Sequence, residues 1–250
     1  MLKTMLSEWT KLRTTKSLWW TTGLAILLPV FFTGVSAALD STEYPLYAAA
    51  IAAQNFLALG LIPLMIQAAM VVTTEYRYNV NSINFAITPR RWQVALAKLV
   101  VYGLIAAVIT LVTLVVSYTV GDALAPNPIN WTSDIFARRA LWALPLLSFI
   151  VVLLVQGLGW IIRATAGVVV IVLALPIIET ILAFIPKIGT KLQFIAPFQN
   201  MTIFALNTPP QAPNPFGGDA IGVWGAFGIV VVWAVVVYCV GLLLLERRDA

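Results

Sequence analysis

The chain has few of the residues on which bond-making chemistry depends. Its 250 residues include no histidine and one cysteine, Cys239, which lies inside an apolar stretch. A disulfide within the chain needs two cysteines, while Cys/His metal sites, Ser/His/Asp triads and Cys/His dyads need histidine. The sequence also has no GxxxxGK[ST] motif and therefore no P-loop. We expect no catalytic residue, no metal site and no cofactor on this chain.

Charged residues are the second scarcity. They make up 10% of the chain, against roughly 25% in an average soluble domain, while 61% of the residues are hydrophobic and the mean hydropathy is +0.95. The formal net charge is +5, but the basic residues lie beside long apolar runs. That placement indicates orientation in a bilayer and argues against binding to nucleic acid. The composition predicts an all-α polytopic membrane protein.

Six apolar runs are long enough to cross a bilayer as helices, which takes roughly 20 residues each. Within a single transmembrane domain of residues 1–250, the predicted spans are 18–39, 48–72, 94–120, 139–162, 164–184 and 221–245. Residues 185–220 are divided by prolines into pieces too short to span. This region predicts short re-entrant or interfacial helices between the fifth and sixth spans.

Residues 1–16 predict an amphipathic helix that lies in the headgroup plane before the first span. Its apolar stripe consists of Leu2, Met5, Leu6, Trp9 and Leu12. The residues expected to anchor it at the membrane interface and to meet anionic lipid are Trp9, Lys11, Arg13, Trp19 and Trp20. Two alternatives remain open, a charged segment that merely precedes a span and a signal peptide cleaved near residues 36–38. The helical stripe and the apolar length favour a retained span.

Residues 73–93 form a polar, basic interruption between the second and third spans. Within it, Val80, Ile83 and Ile87 recur at helical spacing and predict a short amphipathic helix. Thr88 and Pro89 then predict the cap and first turn of a helix that begins at Arg90 and continues into the third span. A cytoplasmic segment with this helix–turn–helix pattern indicates that a rigid partner contacts it.

The distribution of basic residues predicts that both termini are cytoplasmic. In that orientation eleven lie inside, namely Lys3, Lys11, Arg13, Lys16, Arg77, Arg90, Arg91, Lys98, Arg163, Arg247 and Arg248. Four lie outside, namely Arg138, Arg139, Lys187 and Lys191. The bias supports six spans in the plasma membrane with both ends in the cytoplasm.

Several polar residues lie within the predicted spans. They are Gln54, Asn55, Gln67, Gln156 and Glu179. Two explanations are open for polar residues within spans. They pack against neighbouring helices, or they face the interior of the bundle and line a substrate path. Glu179 is the one acidic residue inside an apolar run, and headgroup water or Lys187 could satisfy it. Pro63 predicts a kink in the second span.

Four stretches of sequence carry a family resemblance. They are SEWTKLRTTKSLWW at residues 7–20, EYRYN at 75–79, TPRRWQVALAK at 88–98 and ERRDA at 246–250. With them the whole chain resembles the permease subunits of type-2 ABC exporters, in the form common in Gram-positive actinobacteria. Asn79 and Val80 stand where many relatives have Gly-Thr.

The resemblance implies an N-terminal elbow helix, six spans and a dimer with a second permease copy, identical or paralogous. It also implies two copies of a cytoplasmic ABC ATPase, with ATP and Mg bound there, that dock on a coupling helix at residues 75–87. The residues implied in ATPase coupling are Glu75, Arg77, Val80, Ile83, Ile87, Arg90 and Arg91. The implied function is export of a hydrophobic or amphiphilic substrate such as a drug, peptide or lipid.

Rival functions stay open beside the resemblance. An ion-coupled secondary transporter would use three plus three spans as inverted halves, with Pro63 and Pro176 in corresponding spans and Glu179 as the ionisable group. An intramembrane enzyme lacks the nucleophile and base that it would need. Within the family, a resistance or immunity subunit that extracts a peptide or lipid from the membrane is a further reading. The apolar region 181–216 would suit such a cargo.

Overall fold

A computed structural model of the chain describes residues 1–41, 46–78, 80, 90–185, 189–192, 194–208 and 221–247. These ranges contain nine helices and no strand. The helices are α1 Leu2–Thr14, α2 Lys16–Ala38, α3 Ala49–Arg77, α4 Arg91–Leu124, α5 Ile135–Ile162, α6 Thr165–Ala183, α7 Gly189–Leu192, α8 Pro197–Leu206 and α9 Val223–Arg247. Six of them, α2 to α6 and α9, are long and apolar enough to cross a membrane, which confirms the all-α polytopic fold.

The six long helices differ greatly in burial. α3 is the most enclosed, with 67% of its apolar window buried, and α6 is the least, with 17%. One end of the bundle, called the basic end below, carries α1, the end of α3, the start of α4, the turn between α5 and α6, and the end of α9. Here α3 and α4 continue past the predicted apolar runs, to Arg77 and back to Arg91.

α1 and α2 are separate helices because the backbone is extended at Thr15, with φ −87° and ψ 121°. Hydroxyl and indole groups satisfy the carbonyls at the end of α1. The Thr15 hydroxyl donates to the Lys11 carbonyl at 2.6 Å, and the Trp19 indole N–H donates to the Arg13 carbonyl at 3.1 Å. The first turn of α2 is thereby fixed against the last turn of α1.

α3 contains a π turn over Phe56–Gly60. Pro63 follows it and, having no N–H, cannot bond the carbonyl of Leu59, four residues earlier and inside that turn. The distortion that Pro63 predicts in the second span therefore takes the form of a wider turn. Gly60 lies against α2, where an added Cβ would be 2.9 Å from Pro29 Cγ and 3.0 Å from the Ala25 carbonyl oxygen.

α5 packs between α9 and α3 through two glycines on different faces. A Cβ at Gly157 would lie 2.8 Å from Tyr238 Cα in α9, and one at Gly241 would lie 2.8 Å from the Gly157 carbonyl oxygen. A Cβ at Gly159 would instead meet Val72 Cβ of α3 at 3.1 Å. The spacing of two residues excludes a shared GxxxG face. Each glycine serves its own interface.

Acidic side chains order the connections at the opposite end of the bundle. Asp122 accepts hydrogen bonds from the backbone N–H groups of Ile129 and Trp131 and from the Tyr47 hydroxyl. Asp134 caps α5 by accepting from the Ala137 N–H at 2.7 Å. These carboxylates hold the connections between spans against the helix ends.

Candidate functional site at the basic end

A buried lysine joins three helices at the basic end. Lys98 lies two turns into α4 with only 1% of its surface exposed. Its Nζ is 2.7 Å from Glu8 Oε2 of α1 and 2.8 Å from Glu75 Oε1 of α3, and it also donates to the Val71 carbonyl at 3.2 Å. A charge this deeply buried needs such partners, because removal from water costs several kcal/mol per ion.

Lys11 closes the arrangement into a ring. Its Nζ lies 2.7 Å from Glu8 Oε1 and 3.0 Å from Glu75 Oε1. Glu8, Lys11, Glu75 and Lys98, called the ionic cluster below, thus form alternating pairs with no net charge. Burial by itself lowers the pKa of Lys11, but the carboxylates of Glu75 and Glu8 raise it, and the net pKa is above its ordinary value. Lys11 therefore stays charged at neutral pH.

Local sequence explains part of this geometry. Glu8 and Lys11 are three residues apart on α1 and so share a face. Glu75 and Val71 are one turn apart on α3, which places the carboxylate and the carbonyl beside the same ammonium. The Val80 N–H donates to the Glu75 carbonyl at 3.0 Å and closes the end of α3. The residues that follow Val80 up to Pro89, including Ile83 and Ile87, lie outside the described residues, as does the predicted helix start at Thr88 and Pro89.

The turn between α5 and α6 packs on the same end of α3. The Arg163 guanidinium lies 4.8 Å from the centre of the Tyr76 ring. The hydroxyl oxygens of Thr73 and Thr165 are 2.6 Å apart, and Thr165 is the donor because Thr73 donates to the Ala69 carbonyl. These contacts fasten α3 to the start of α6 within one turn of Glu75.

The start of α4 is fastened to α9. Arg91 Nη1 donates to the Leu245 carbonyl at 2.9 Å, two residues before α9 ends at Arg247. A cation at a helix C-terminus satisfies an orphan carbonyl and matches the negative end of the helix dipole. The neighbouring Arg90 is exposed and caps α4, which begins at Arg91. Both ends of the segment 78–90 are therefore tied to other helices.

The remaining residues predicted for coupling are at the surface. Arg77, Tyr78 and Val80 are exposed, and the Arg77 guanidinium lies 5.8 Å from the centre of the Tyr78 ring. A cavity of about 500 Å³, lined by the ionic cluster, Gln67, Tyr78 and Val80, separates this surface from α1. The coupling role of the seven residues stays a prediction. Of those that the structure describes, Arg77, Val80 and Arg90 are exposed, while Glu75 and Arg91 are half-buried.

The polar residues predicted to line a path lie in separate places. Gln54 is exposed, and Asn55 donates to the Thr33 hydroxyl of α2 at 3.1 Å. Gln67 accepts from the Thr21 hydroxyl, also in α2, at 3.3 Å. Buried Gln156 donates to the carbonyl of Lys98 at 3.4 Å. The first three side chains thus face α2 or the surface, while Gln156 joins α5 to α4 beneath the ionic cluster.

Glu179 lies at the opposite end of the bundle, with 6% of its surface exposed. Its carboxylate accepts from the backbone N–H groups of Gln199 at 2.9 Å and Phe198 at 3.4 Å, which begin α8. An anion at a helix N-terminus satisfies orphan donors and matches the dipole. Lys187, the partner suggested by the sequence, lies outside the described residues. Glu179 also borders a cavity of about 520 Å³ between α3, α6 and α8, called the α6 cavity below.

The interface anchors separate into two groups. Trp9, Trp19 and Trp20 are exposed at the basic end, as an interfacial position requires, and Arg13 is exposed as well. Lys11, expected to face anionic lipid, instead points to the carboxylates of the ionic cluster. Sequence reasoning missed Glu8 and the burial of Lys98. The signal for this burial was the position of Lys98 within the apolar run of the predicted third span.

The chemistry of the described residues is that of packing and ion pairing. Among them no group of three or more His, Cys, Asp or Glu side chains could hold a metal ion. The ionic cluster uses both of its carboxylates on the two lysines. The arrangement can transmit movement between helices.

Comparison with known protein families identifies the family of this chain. A family model described as ABC-2 family transporter protein matches residues 4–190, about three quarters of the chain. Comparison with curated proteins gave no match. The matched range includes all four residues of the ionic cluster and five of the six long helices. The chain therefore belongs to the ABC-2 transporter family and is a membrane-spanning permease subunit of an ATP-binding cassette system.

Proposed function

We propose that the chain is the permease of an exporter driven by a separate cytoplasmic ATPase that docks on residues 73–93. The ionic cluster carries this proposal. It joins Glu75, near the start of the segment, to Lys98, just after its end, through Glu8 and Lys11 of α1. A push on the segment would move α3, α4 and α1 together. Both termini are cytoplasmic in this proposal, in keeping with the distribution of basic residues.

Movement spreads from the segment by the contacts around it. α3 acts on α6 through the pairs Thr73–Thr165 and Tyr76–Arg163, and α4 acts on α9 through Arg91 and Leu245. ATP and Mg bind to the two ATPase subunits, and closure of those subunits displaces the segment. The permease makes no covalent bond. It contributes two states that differ in affinity for the substrate.

The lining of the α6 cavity favours a hydrophobic or amphiphilic substrate. Its wall is apolar apart from a few groups, and Glu179 is the one charged side chain among the residues that line it. A pocket of this kind suits apolar molecules with one or few polar groups. α6 is also the least buried long helix, which favours contact with a second permease copy on that side. A drug, peptide or lipid taken from the membrane fits this cavity, with resistance to such compounds as the physiological result.

The family match and the position of Glu179 both favour this function over ion-coupled transport. Glu179 accepts two backbone hydrogen bonds at the start of α8 and thus has a structural role. An ion-coupled carrier needs a carboxylate that binds and releases its ion.

Affinity purification of the tagged, full-length chain from its native membrane in mild detergent tests the proposal. Mass spectrometry should identify a co-purifying P-loop ATPase, and Ile83→Asp with Ile87→Asp should abolish its recovery. Glu75→Gln should retain the ATPase but reduce transport per ATP hydrolysed in vesicles. Arg138→Gln, at an exposed site on α5, is the control for loss of a single charge. Recovery of the chain alone, while other membrane complexes remain intact, would contradict the proposal.

A further inference from the structure

A second face of α1 borders an apolar groove. The groove has a volume of about 580 Å³ and lies between α1, α2 and α4. Trp9 and Arg13 of α1, one helical turn apart, form one wall, while Leu104 and Val108 of α4 form another. Glu8 and Lys11 point to the ionic cluster on a different face of α1. The groove and the cluster are therefore distinct sites on one helix.

Arg13 brings an unmatched positive charge to this groove. Its side chain is exposed and makes no hydrogen bond or ion pair within the part of the chain that the structure describes. Glu8, the acidic residue of α1, is fully used by Lys11 and Lys98. Lys16, at the start of α2, is likewise exposed and has no partner among the described residues. Neither Arg13 nor Lys16 pairs with a carboxylate of the described residues, so both are open to an anion from outside the chain.

We propose that the groove binds an acyl chain of an anionic glycerophospholipid, with its phosphate at Arg13. Leu104 and Val108 are 56% and 59% exposed and present apolar surface to the chain. The exposed indoles of Trp9 and Trp19 border the groove at the depth where tryptophan favours the membrane interface. The Trp19 indole N–H also donates to the Arg13 backbone carbonyl at 3.1 Å, which holds the end of α1 against the first turn of α2 beside the groove.

The charge at the mouth selects the headgroup. A basic residue at the membrane surface gains about fivefold in affinity for anionic lipid, and two basic residues act together. A zwitterionic lipid carries its own cation beside the phosphate and gains less. The bound lipid contacts α1 and α4, which are also the helices joined by Glu8 and Lys98. Lipid at this site therefore stabilises the position of α1 and with it the ionic cluster.

The test uses the full-length chain in nanodiscs of phosphatidylcholine with a small fraction of photoreactive phosphatidylglycerol, the reactive group being on the acyl chain. We expect labelling within residues 104–109, mapped by mass spectrometry, and about fivefold weaker labelling by the matching phosphatidylcholine probe. Arg13→Gln should reduce labelling by phosphatidylglycerol about fivefold, and Arg13→Lys should largely retain it. Val108→Trp, which fills the groove at an exposed site, should abolish it.

Lys3→Gln is the matched control, because Lys3 is an exposed cation on the same helix and does not line the groove. It should leave labelling unchanged. Phosphatidylglycerol should also raise the unfolding temperature of the wild type but not of Val108→Trp. Equal labelling by the two lipids, labelling that Arg13→Gln does not reduce, or labelling that persists in Val108→Trp would overturn the proposal.

Discussion

Lys98 Nζ and Glu8 Oε2 lie 2.7 Å apart although 90 residues separate them in the chain. The pair is almost fully enclosed, with side chains 1% and 4% exposed. It connects α1, a helix outside the six long ones, to the interior of α4. The position of α1 is thereby set by the same lysine that pairs with Glu75 at the end of α3.

Replacement of Lys98 by methionine should destabilise the protein strongly. Lys98→Met leaves Glu8 and Glu75 in a buried site with one lysine between them. Removal of one member of a buried ion pair typically costs about 3–5 kcal/mol. The unfolding temperature in mild detergent measures the loss.

Lys98→Met combined with Glu8→Gln provides the comparison. The double variant restores neutrality, because Glu75 keeps Lys11 at 3.0 Å. We expect it to be more stable than Lys98→Met alone, a non-additivity typical of residues in one network. A double variant that is the sum of the two single losses would show that the four charges do not act as a unit.

Arg91→Gln should loosen the end of α9, because Arg91 donates to the Leu245 carbonyl. Hydrogen bonds to charged groups contribute about 1.5–3 kcal/mol, so amide hydrogen exchange in the last turn of α9 should accelerate about tenfold or more. Arg90→Gln removes the same charge from an adjacent, exposed position and should leave exchange there unchanged. Equal effects of the two substitutions would assign the result to charge in general.

Arg163 lies in the turn between α5 and α6 with a backbone conformation that few residues adopt without strain. Arg163 has φ 59° and ψ 12°, a left-handed conformation that asparagine tolerates better than most residues. Arg163→Asn and Arg163→Ala both remove the stacking on Tyr76, but only asparagine relieves the strain. Arg163→Asn should be the more stable by about 1 kcal/mol in thermal unfolding. The opposite order would mean that the turn adopts another conformation.

Gly60→Ala should push α2 and α3 slightly apart and lower the unfolding temperature. The new Cβ would lie 2.7 Å from the Phe56 ring and 2.9 Å from Pro29 Cγ. Overpacking of this kind costs about 1–3 kcal/mol. Gly23→Ala is the matched control, since a Cβ at Gly23 has nothing within 4 Å and alanine favours the helix. A loss of unfolding temperature in Gly23→Ala equal to that in Gly60→Ala would contradict the close contact at Gly60.

The six long helices could be predicted from sequence because bilayer thickness sets a length that hydropathy reveals directly. The helices nevertheless extend further at the basic end, to Arg77 and from Arg91, because polar residues continue a helix once it has left the apolar core. The kink at Pro63 could be predicted from its missing N–H. Its form, a π turn over Phe56–Gly60 that packs beside Pro29 of α2, could not, because the local pattern does not say what the turn packs against.

The ionic cluster could not be predicted in the same way. Periodicity places Lys11 and Glu8 on one face of α1, but it does not say which helix that face meets. The charge pattern predicted Lys98 only as one of the cytoplasmic basic residues, whereas packing against α1 and α3 encloses it. Likewise, Glu179 looked like an isolated charge until the start of α8 supplied its donors. Tertiary partners decide the role of each of these groups.

The contact of α5 and α9 at Gly157 and Gly241 has a mechanical consequence. Because the two backbones touch there, neither helix can rotate about its own axis without displacing the other. The two helices therefore move as one rigid unit. α6 is the least enclosed of the long helices and follows α5 after only Arg163 and Ala164, so a displacement of α5 passes directly to the start of α6.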